Sequence, residues 1–267
     1  MSSTSPVSGS IKIRSSFFTD LATSVDPVLF ARQFVDPDPW QADLLLSNEK
    51  RSILNCSRQS GKSTITAILA LHHALNNPGA LVLVLSPSLR QSGELFKKVI
   101  HFYKELGRPI ASDVESALNL QLVNDSRIVS LPGKEQTIRG YSGASLLIID
   151  EAARVDDELY FSVRPMLAIS QGRMILLSTP FGKRGFFFNE WTESQAWKKI
   201  KITAYECPRI SNEFLEEERI ALGSWWFQQE YLCEFGENVD AYFAYDDVMA
   251  ALSDDVAPLF DGSSEID

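Results

Sequence analysis

Residues 56–63 read CSRQSGKS and stand between RSILNCS at 51–57, which reads as a strand, and KSTITAILALHHAL at 62–75, which has helical periodicity. A glycine, a lysine and a hydroxyl residue in succession at a strand-to-helix turn are suited to holding phosphate. Gly61 lets the backbone approach closely, successive amides at the helix N-terminus face the anion, Lys62 reaches the β- and γ-oxygens, and the Ser63 hydroxyl ligates Mg²⁺. The nucleotide-binding segment is therefore Ser57, Arg58, Gln59, Ser60, Gly61, Lys62, Ser63 and Thr64. Cys56 stands where the usual pattern has its first glycine.

A second group is LLIIDE at 146–151, four apolar residues followed by two carboxylates. A strand of that kind is buried and delivers its acids to the carboxyl edge of a sheet, where α/β proteins bind ligands. Asp150 is placed to hold Mg²⁺ and Glu151 to polarise the water that attacks a γ-phosphate. An acid pair there favours hydrolysis over transfer to a metabolite. LLSTP at 176–180 ends a third apolar run. Ser178 and Thr179 either sense the γ-phosphate or are a polar strand terminus stopped by Pro180. Upstream, Trp40 and Gln41 offer an aromatic face and an amide for the adenine edge, or are simply a buried tryptophan and a surface glutamine.

The elements around these residues alternate. Apolar runs at 51–57, 80–86, 145–150 and 173–178 are separated by helical stretches at 62–75, 89–106 and 156–169, with a hairpin over 118–133 turning at Asp125-Ser126 and a further strand at 198–204. Strands apolar on both faces that alternate with helices predict an α/β fold, a mainly parallel sheet with helices on both faces. The division expected is a flexible arm at 1–25, a P-loop ATPase core at 26–204, a helical lid at 205–240 with two helices parted near Gly223, and a linker at 241–267. Trp225, Trp226 and Phe227 are expected to form lid core with one member exposed, or else a subunit contact.

Length and composition fit one such domain. The 267 residues are 45% hydrophobic and 22% charged, and two full cores would be cramped. Three cysteines without a CxxC, and histidines only at 72, 73 and 101, argue against a disulfide framework or a histidine metal site. No apolar run approaches the ~20 residues of a membrane span, so no membrane partner is expected. The formal charge of -10 is uneven: 16 acids and two arginines lie in 205–267, leaving 23 basic and 19 acidic residues in the first 204. A mildly basic body keeps nucleic acid among the possible partners.

Taken together, CSRQSGKS, LLIIDE, LLSTP and DPWQ, in their order in the chain, with TPFGKRGFFFNEW after the third strand end, resemble the ATPase domain of the viral large terminase subunits, over roughly residues 30–240. The resemblance implies a P-loop NTPase of the additional-strand, catalytic-glutamate type, a Mg²⁺-dependent ATPase that translocates double-stranded DNA into a procapsid. It implies a homo-oligomeric ring on a portal, a small terminase subunit as partner, and action in the host cell cytoplasm. Relatives continue into an RNase H-like nuclease; this chain is expected to hold the motor without it, and Asp246 and Asp247 to be solvated linker residues. Phosphoryl transfer also needs a cation for the charge that spreads onto the γ-oxygens. The expectation is Arg139, in the glycine-rich KEQTIRGYSGAS, acting on the neighbouring subunit's ATP, with Arg58 supporting in cis; a surface arginine tethered to an acid is the plainer reading of Arg139. Lys183 and Arg184 either touch DNA phosphates or are solvated. Competing classes are a helicase-like DNA-dependent ATPase, which needs a second core, a small-molecule kinase, which needs a basic lid, and a binding module without turnover, against which Glu151 argues.

Overall fold

The computed structural model describes residues 17–132, 140–237 and 250–251. Eight strands form one sheet in the order β3-β4-β5-β2-β6-β7-β1-β8. They are β1 Arg51–Cys56, β2 Leu81–Ser86, β3 Ser112–Glu115, β4 Asn119–Leu122, β5 Arg127–Pro132, β6 Leu146–Asp150, β7 Arg173–Ser178 and β8 Lys198–Ile202. Six of them, from β5 to β8 across the sheet, run parallel, while β3 and β4 are antiparallel additions at one edge. β7 lies between the strand feeding the phosphate loop, β1, and the strand ending in Asp150, β6. That inserted strand matches the additional-strand expectation.

The central strands are buried on both faces because most of their positions are apolar, and the few polar ones, such as Ser52, Asn55 and Ser178, are buried with them. Leu54, Val82, Val84, Ile148 and Leu177 pack with α4 (Lys62–Asn76) and α5 (Leu89–Glu105), joined by Phe30 of α2 (Pro27–Ala31) and Trp40 and Leu44 of α3 (Pro39–Leu46). Ile53, Leu83, Leu85, Leu147, Ile149 and Leu176 face the other way, against α6 (Asp157–Val163) and α7 (Gly185–Thr192). A third small cluster, Ala204, Leu215, Phe227 and Tyr231, is the core under α8 (Asn212–Glu230).

Three differences from the sequence expectation have physical causes. Residues 17–25, read as part of an arm, form the helix α1 (Phe17–Val25), whose Ser24 carbonyl meets His72 Nε2 at 3.1 Å. The stretch 156–169 is not one helix: α6 stops at Val163 and a 3₁₀ turn, Arg164–Leu167, follows, as Pro165 requires because it has no amide to donate. Pro39 is a start signal, standing at the first turn of α3 behind the N-cap Asp38. In α8 the expected break is present, since Gly223 has φ 74° and ψ 168° inside the helical span. Among the described residues no helix is long and apolar enough to cross a membrane.

Candidate nucleotide site

β1, β6 and β7 end side by side, with Asn55 in register with Ser178 and Asp150 with Leu177. The loop after β1, the acid pair after β6 and the Ser-Thr after β7 therefore share one edge of the sheet. The loop turns into α4 at Gly61, the N-cap, with φ 90°. A Cβ there would stand 2.7 Å from Gln41 Nε2, so both backbone and space demand glycine. The Ser57 amide donates to Ile202 O at 2.9 Å and the Arg58 amide to Glu230 O at 3.2 Å, which ties the loop to β8 and α8. The amides that follow lie at the positive end of α4, where an anion is favoured.

Lys62 and Ser63 open α4 and each meets one of the two acids. The Lys62 ammonium is 3.6 Å from Glu151 Oε1, and the Ser63 hydroxyl donates to Asp150 Oδ2 at 3.2 Å. Burial, and secondarily the charge of Glu151, push the Asp150 carboxyl up to about 6. A buried carboxylate beside a hydroxyl is an oxygen donor set that suits Mg²⁺, and the cation would relieve the very charge that burial penalises. Among the described residues no group of three or more His, Cys, Asp and Glu side chains forms a metal cluster of its own. Glu151 takes the left-handed conformation, φ 52° and ψ 41°, unusual for a non-glycine residue, at the head of a 3₁₀ turn, Ala152–Arg154.

The Ser178 hydroxyl is fully buried and has both its roles filled: it accepts from Ala153 N at 3.2 Å and donates to Thr179 O at 2.7 Å. These bonds brace the turn that carries Glu151; Thr179 is likewise buried. Trp40 packs in the core at 8% exposure, so the base-stacking reading gives way to the buried one. The Gln41 amide is buried as well and employed within the fold. Its Oε1 accepts from Asp38 N at 3.0 Å and its Nε2 donates to Ser60 O at 3.3 Å, bonds that hold the loop rather than face an adenine.

Arg58 is turned away from the loop, its Nε donating to Glu230 Oε2 of α8 at 2.6 Å. Glu230 Oε1 lies 3.7 Å from Arg154, whose guanidinium stacks 4.1 Å over the Phe181 ring. Arg184 covers Phe181 at 5.0 Å, and Lys183 pairs with Glu237 at 2.5 Å, so neither cation is simply solvated. Phe227 is buried and Trp226 is 46% exposed, as the lid-core reading requires. Arg139, Asp246 and Asp247 lie outside the described residues.

Two residues at the site were not found from sequence. Arg209 grips Asp38 with both nitrogens, at 2.9 and 2.6 Å, and donates to Ser60 O at 3.1 Å. Its signal was its isolation, since it is one of two cations in an otherwise acidic segment. Lys98 of α5 donates to Thr64 Oγ1 at 3.0 Å; its signal was a charge beside the apolar stripe of an amphipathic helix.

The family described as terminase large subunit, T4likevirus-type, N-terminal, matches residues 53–249. The large terminase subunit of Thermus virus P23-45 is 24% identical over 252 residues, covering 81% of this chain and 52% of the relative. The chain thus spans about half the length of the curated relatives it matches. Among solved structures, the ATPase domain of the Thermus phage P74-26 large terminase superposes with a TM-score of 0.69 at 20% identity, over 78% of this chain and 97% of that one. The ADP complex of a large terminase from a thermophilic bacteriophage gives 0.61 at 11% identity, over 74% and 54%. With its inserted strand, phosphate loop and acid pair in one sheet edge and the family match over most of its length, the chain belongs to the large terminase subunit family and corresponds to its N-terminal region.

Proposed function

We propose that this chain is the Mg²⁺-dependent ATP-hydrolysing motor of a viral terminase, driving double-stranded DNA into a procapsid. The observation that carries the reading is the pairing of Lys62 with Glu151 and of Ser63 with Asp150 across the loop. The Lys62 ammonium binds the β- and γ-phosphates and the amides of 59–63 cradle them, while Ser63 and Asp150 would hold a Mg²⁺ whose charge would offset that developing on the phosphate oxygens. Without nucleotide, Lys62 neutralises Glu151. A γ-phosphate competes for that ammonium and frees the Glu151 carboxylate to orient the attacking water and accept its proton. Arg139 from a neighbouring subunit, with Arg58 in cis, is proposed as the cation for the transition state. Gln41 and Trp40 belong to the loop's support.

The remaining assignments follow the family. They are a core at 26–204 to which α1 is added, a lid at 205–240, and a linker at 241–267 toward a nuclease domain. They extend to a homo-oligomeric ring on a portal, a small terminase subunit, and action in the host cytoplasm. The helicase-like alternative has no observation in its favour. Phosphate release by wild type and Lys62→Ala, with and without double-stranded DNA, tests the reading. It requires DNA-stimulated turnover in the first and none in the second; full hydrolysis by folded Lys62→Ala would overturn it.

A further inference from the structure

Lysine is a costly residue at position 98. α5 turns Leu95, Val99 and Phe102 into the core, and Lys98, three residues after Leu95 and four before Phe102, shares the flank of that stripe. Its stem is half-buried between α5 and α4, and its ammonium donates to Thr64 Oγ1 at 3.0 Å. Thr64 belongs to the first turn of α4, the positive end of a 15-residue helix, where a cation is disfavoured. Burial is what most disfavours the Lys98 charge, and the Asp150 carboxylate favours that charge more than Lys62, in the same turn, opposes it. Among the described residues no carboxylate forms an ion pair with Lys98: Glu151 pairs with Lys62 and Glu94 of its own helix with Lys97, while Asp150 acts on it only at longer range. A polyanion at that helix N-terminus would give the half-buried Lys98 the direct counter-charge that the fold does not supply.

We infer that Lys98 is a third cation of the nucleotide site, held behind Thr64 to bind the α- and β-phosphates of a nucleoside di- or triphosphate. The inference rests on the nucleotide reading above and adds a residue to it. Lys62 and Ser63 point toward Glu151 and Asp150, where the γ-phosphate and metal belong. Lys98 enters from α5, one residue further along α4, and serves the phosphates nearer the nucleoside. Its charge is reserved for the bound state and strains the free one.

The test is calorimetric titration with Mg-ADP and with Mg-ATPγS on Lys98→Met, Lys98→Gln and Lys98→Arg, together with melting of the nucleotide-free proteins. Met and Gln should each lose about tenfold in affinity for both nucleotides, the worth of one charge-assisted contact, and Arg should recover most of it. Nucleotide-free Lys98→Met should melt above wild type, since it removes a half-buried charge. Unchanged affinity in Met and Gln would overturn the inference, as would a loss confined to ATPγS, or a loss in step with lowered melting, which marks a packing role. Gln keeps a donor to Thr64 and carries the test should Met fail to fold. If Lys62→Ala also binds both nucleotides normally, the nucleotide reading itself has failed; if only the Lys98 variants bind normally, this inference alone has.

Discussion

Arg58 Nε donates to Glu230 Oε2 at 2.6 Å across 172 residues of chain, so the phosphate loop is fastened by its own arginine to the end of α8. The carboxylate is 7% exposed and the guanidinium 62%. The cis role proposed for Arg58 would have it exchange Glu230 for a phosphate, a release that nucleotide binding would have to drive.

Replacing Glu230 by Gln keeps an acceptor in the buried position but removes the charge that holds Arg58. The half-exposed pair is worth ~0.5–1 kcal/mol, so ATPγS affinity should rise about threefold. A fluorescence titration reads this directly. Weaker binding in Glu230→Gln would mean that Glu230 orients Arg58 productively instead of restraining it.

Glu151→Gln separates binding from chemistry. Lys62 loses its 3.6 Å counter-charge and becomes fully available to phosphate, while the group that accepts the proton of water is gone. Hydrolysis should fall by ~10²–10⁴, with nucleotide affinity equal to or above wild type. Phosphate release and titration on the same preparation decide it; a variant that still turns over would remove Glu151 from the proposed chemistry.

The sheet was legible because β2, β6 and β7 are nearly continuous apolar runs; Asp150 and Glu151 were legible at the end of one, and Lys62 and Ser63 because a glycine, a lysine and a hydroxyl residue open the helix after β1. β3, with the sequence SDVE, has no apolar alternation and a largely exposed surface, so no periodicity marked it. α7 begins with three consecutive phenylalanines, which fit neither helical nor strand spacing until the sheet face they cover is known. Arg209 and Glu230 act on the loop from 149 and 172 residues away, and Lys98 from 34. Local pattern carries no information at that range. Gln41 and Ser178 were found for the right place, but sequence could not show the hydrogen bonds that the fold gives them, to Asp38 and Ser60 and to Ala153 and Thr179.

Acid stability should hide two opposed titrations. Burial lowers the His73 imidazole from 6.5 to about 4, where its Nε2 meets Ser145 Oγ at 2.9 Å, and burial raises Asp150 from 3.8 to about 6. Between pH 4 and 6.5 the unfolded chain binds a proton at His73 that the folded chain refuses, so this group's contribution is complete above 6.5 and is lost as pH falls. Asp150 has the reverse sign: the folded chain keeps a proton there that the unfolded chain releases, so stability falls as pH rises through the same window. These two contributions should therefore largely cancel between pH 4 and 6. His73→Gln uncovers the Asp150 slope, and its stability relative to wild type should be ~2–3 kcal/mol more favourable at pH 4.5 than at pH 7. Urea unfolding of both proteins at the two pH values measures it, and a constant difference would show that His73 does not titrate between them.

The Asp38–Arg209 pair should prove to be a clamp on the loop and not a surface ion pair. Asp38 is 8% exposed, and its own amide donates to Gln41 Oε1, while Gln41 and Arg209 both donate to the Ser60 carbonyl, at 3.3 and 3.1 Å. Arg209→Ala removes one of those donors and leaves a buried carboxylate without its bidentate partner. Because the arginine side chain is 50% exposed, the cost is set by the stranded Asp38 more than by the pair itself, and should be ~1–2 kcal/mol. Asp38→Ser keeps an N-cap for α3 without the charge, so in that background Arg209→Ala should cost far less. Nucleotide affinity should fall in both arginine variants, since Ser60 is held more loosely in each. Equal destabilisation by Arg209→Ala in the two backgrounds would show that Arg209 stabilises the protein by packing, and that the loop is fixed by Gln41 alone.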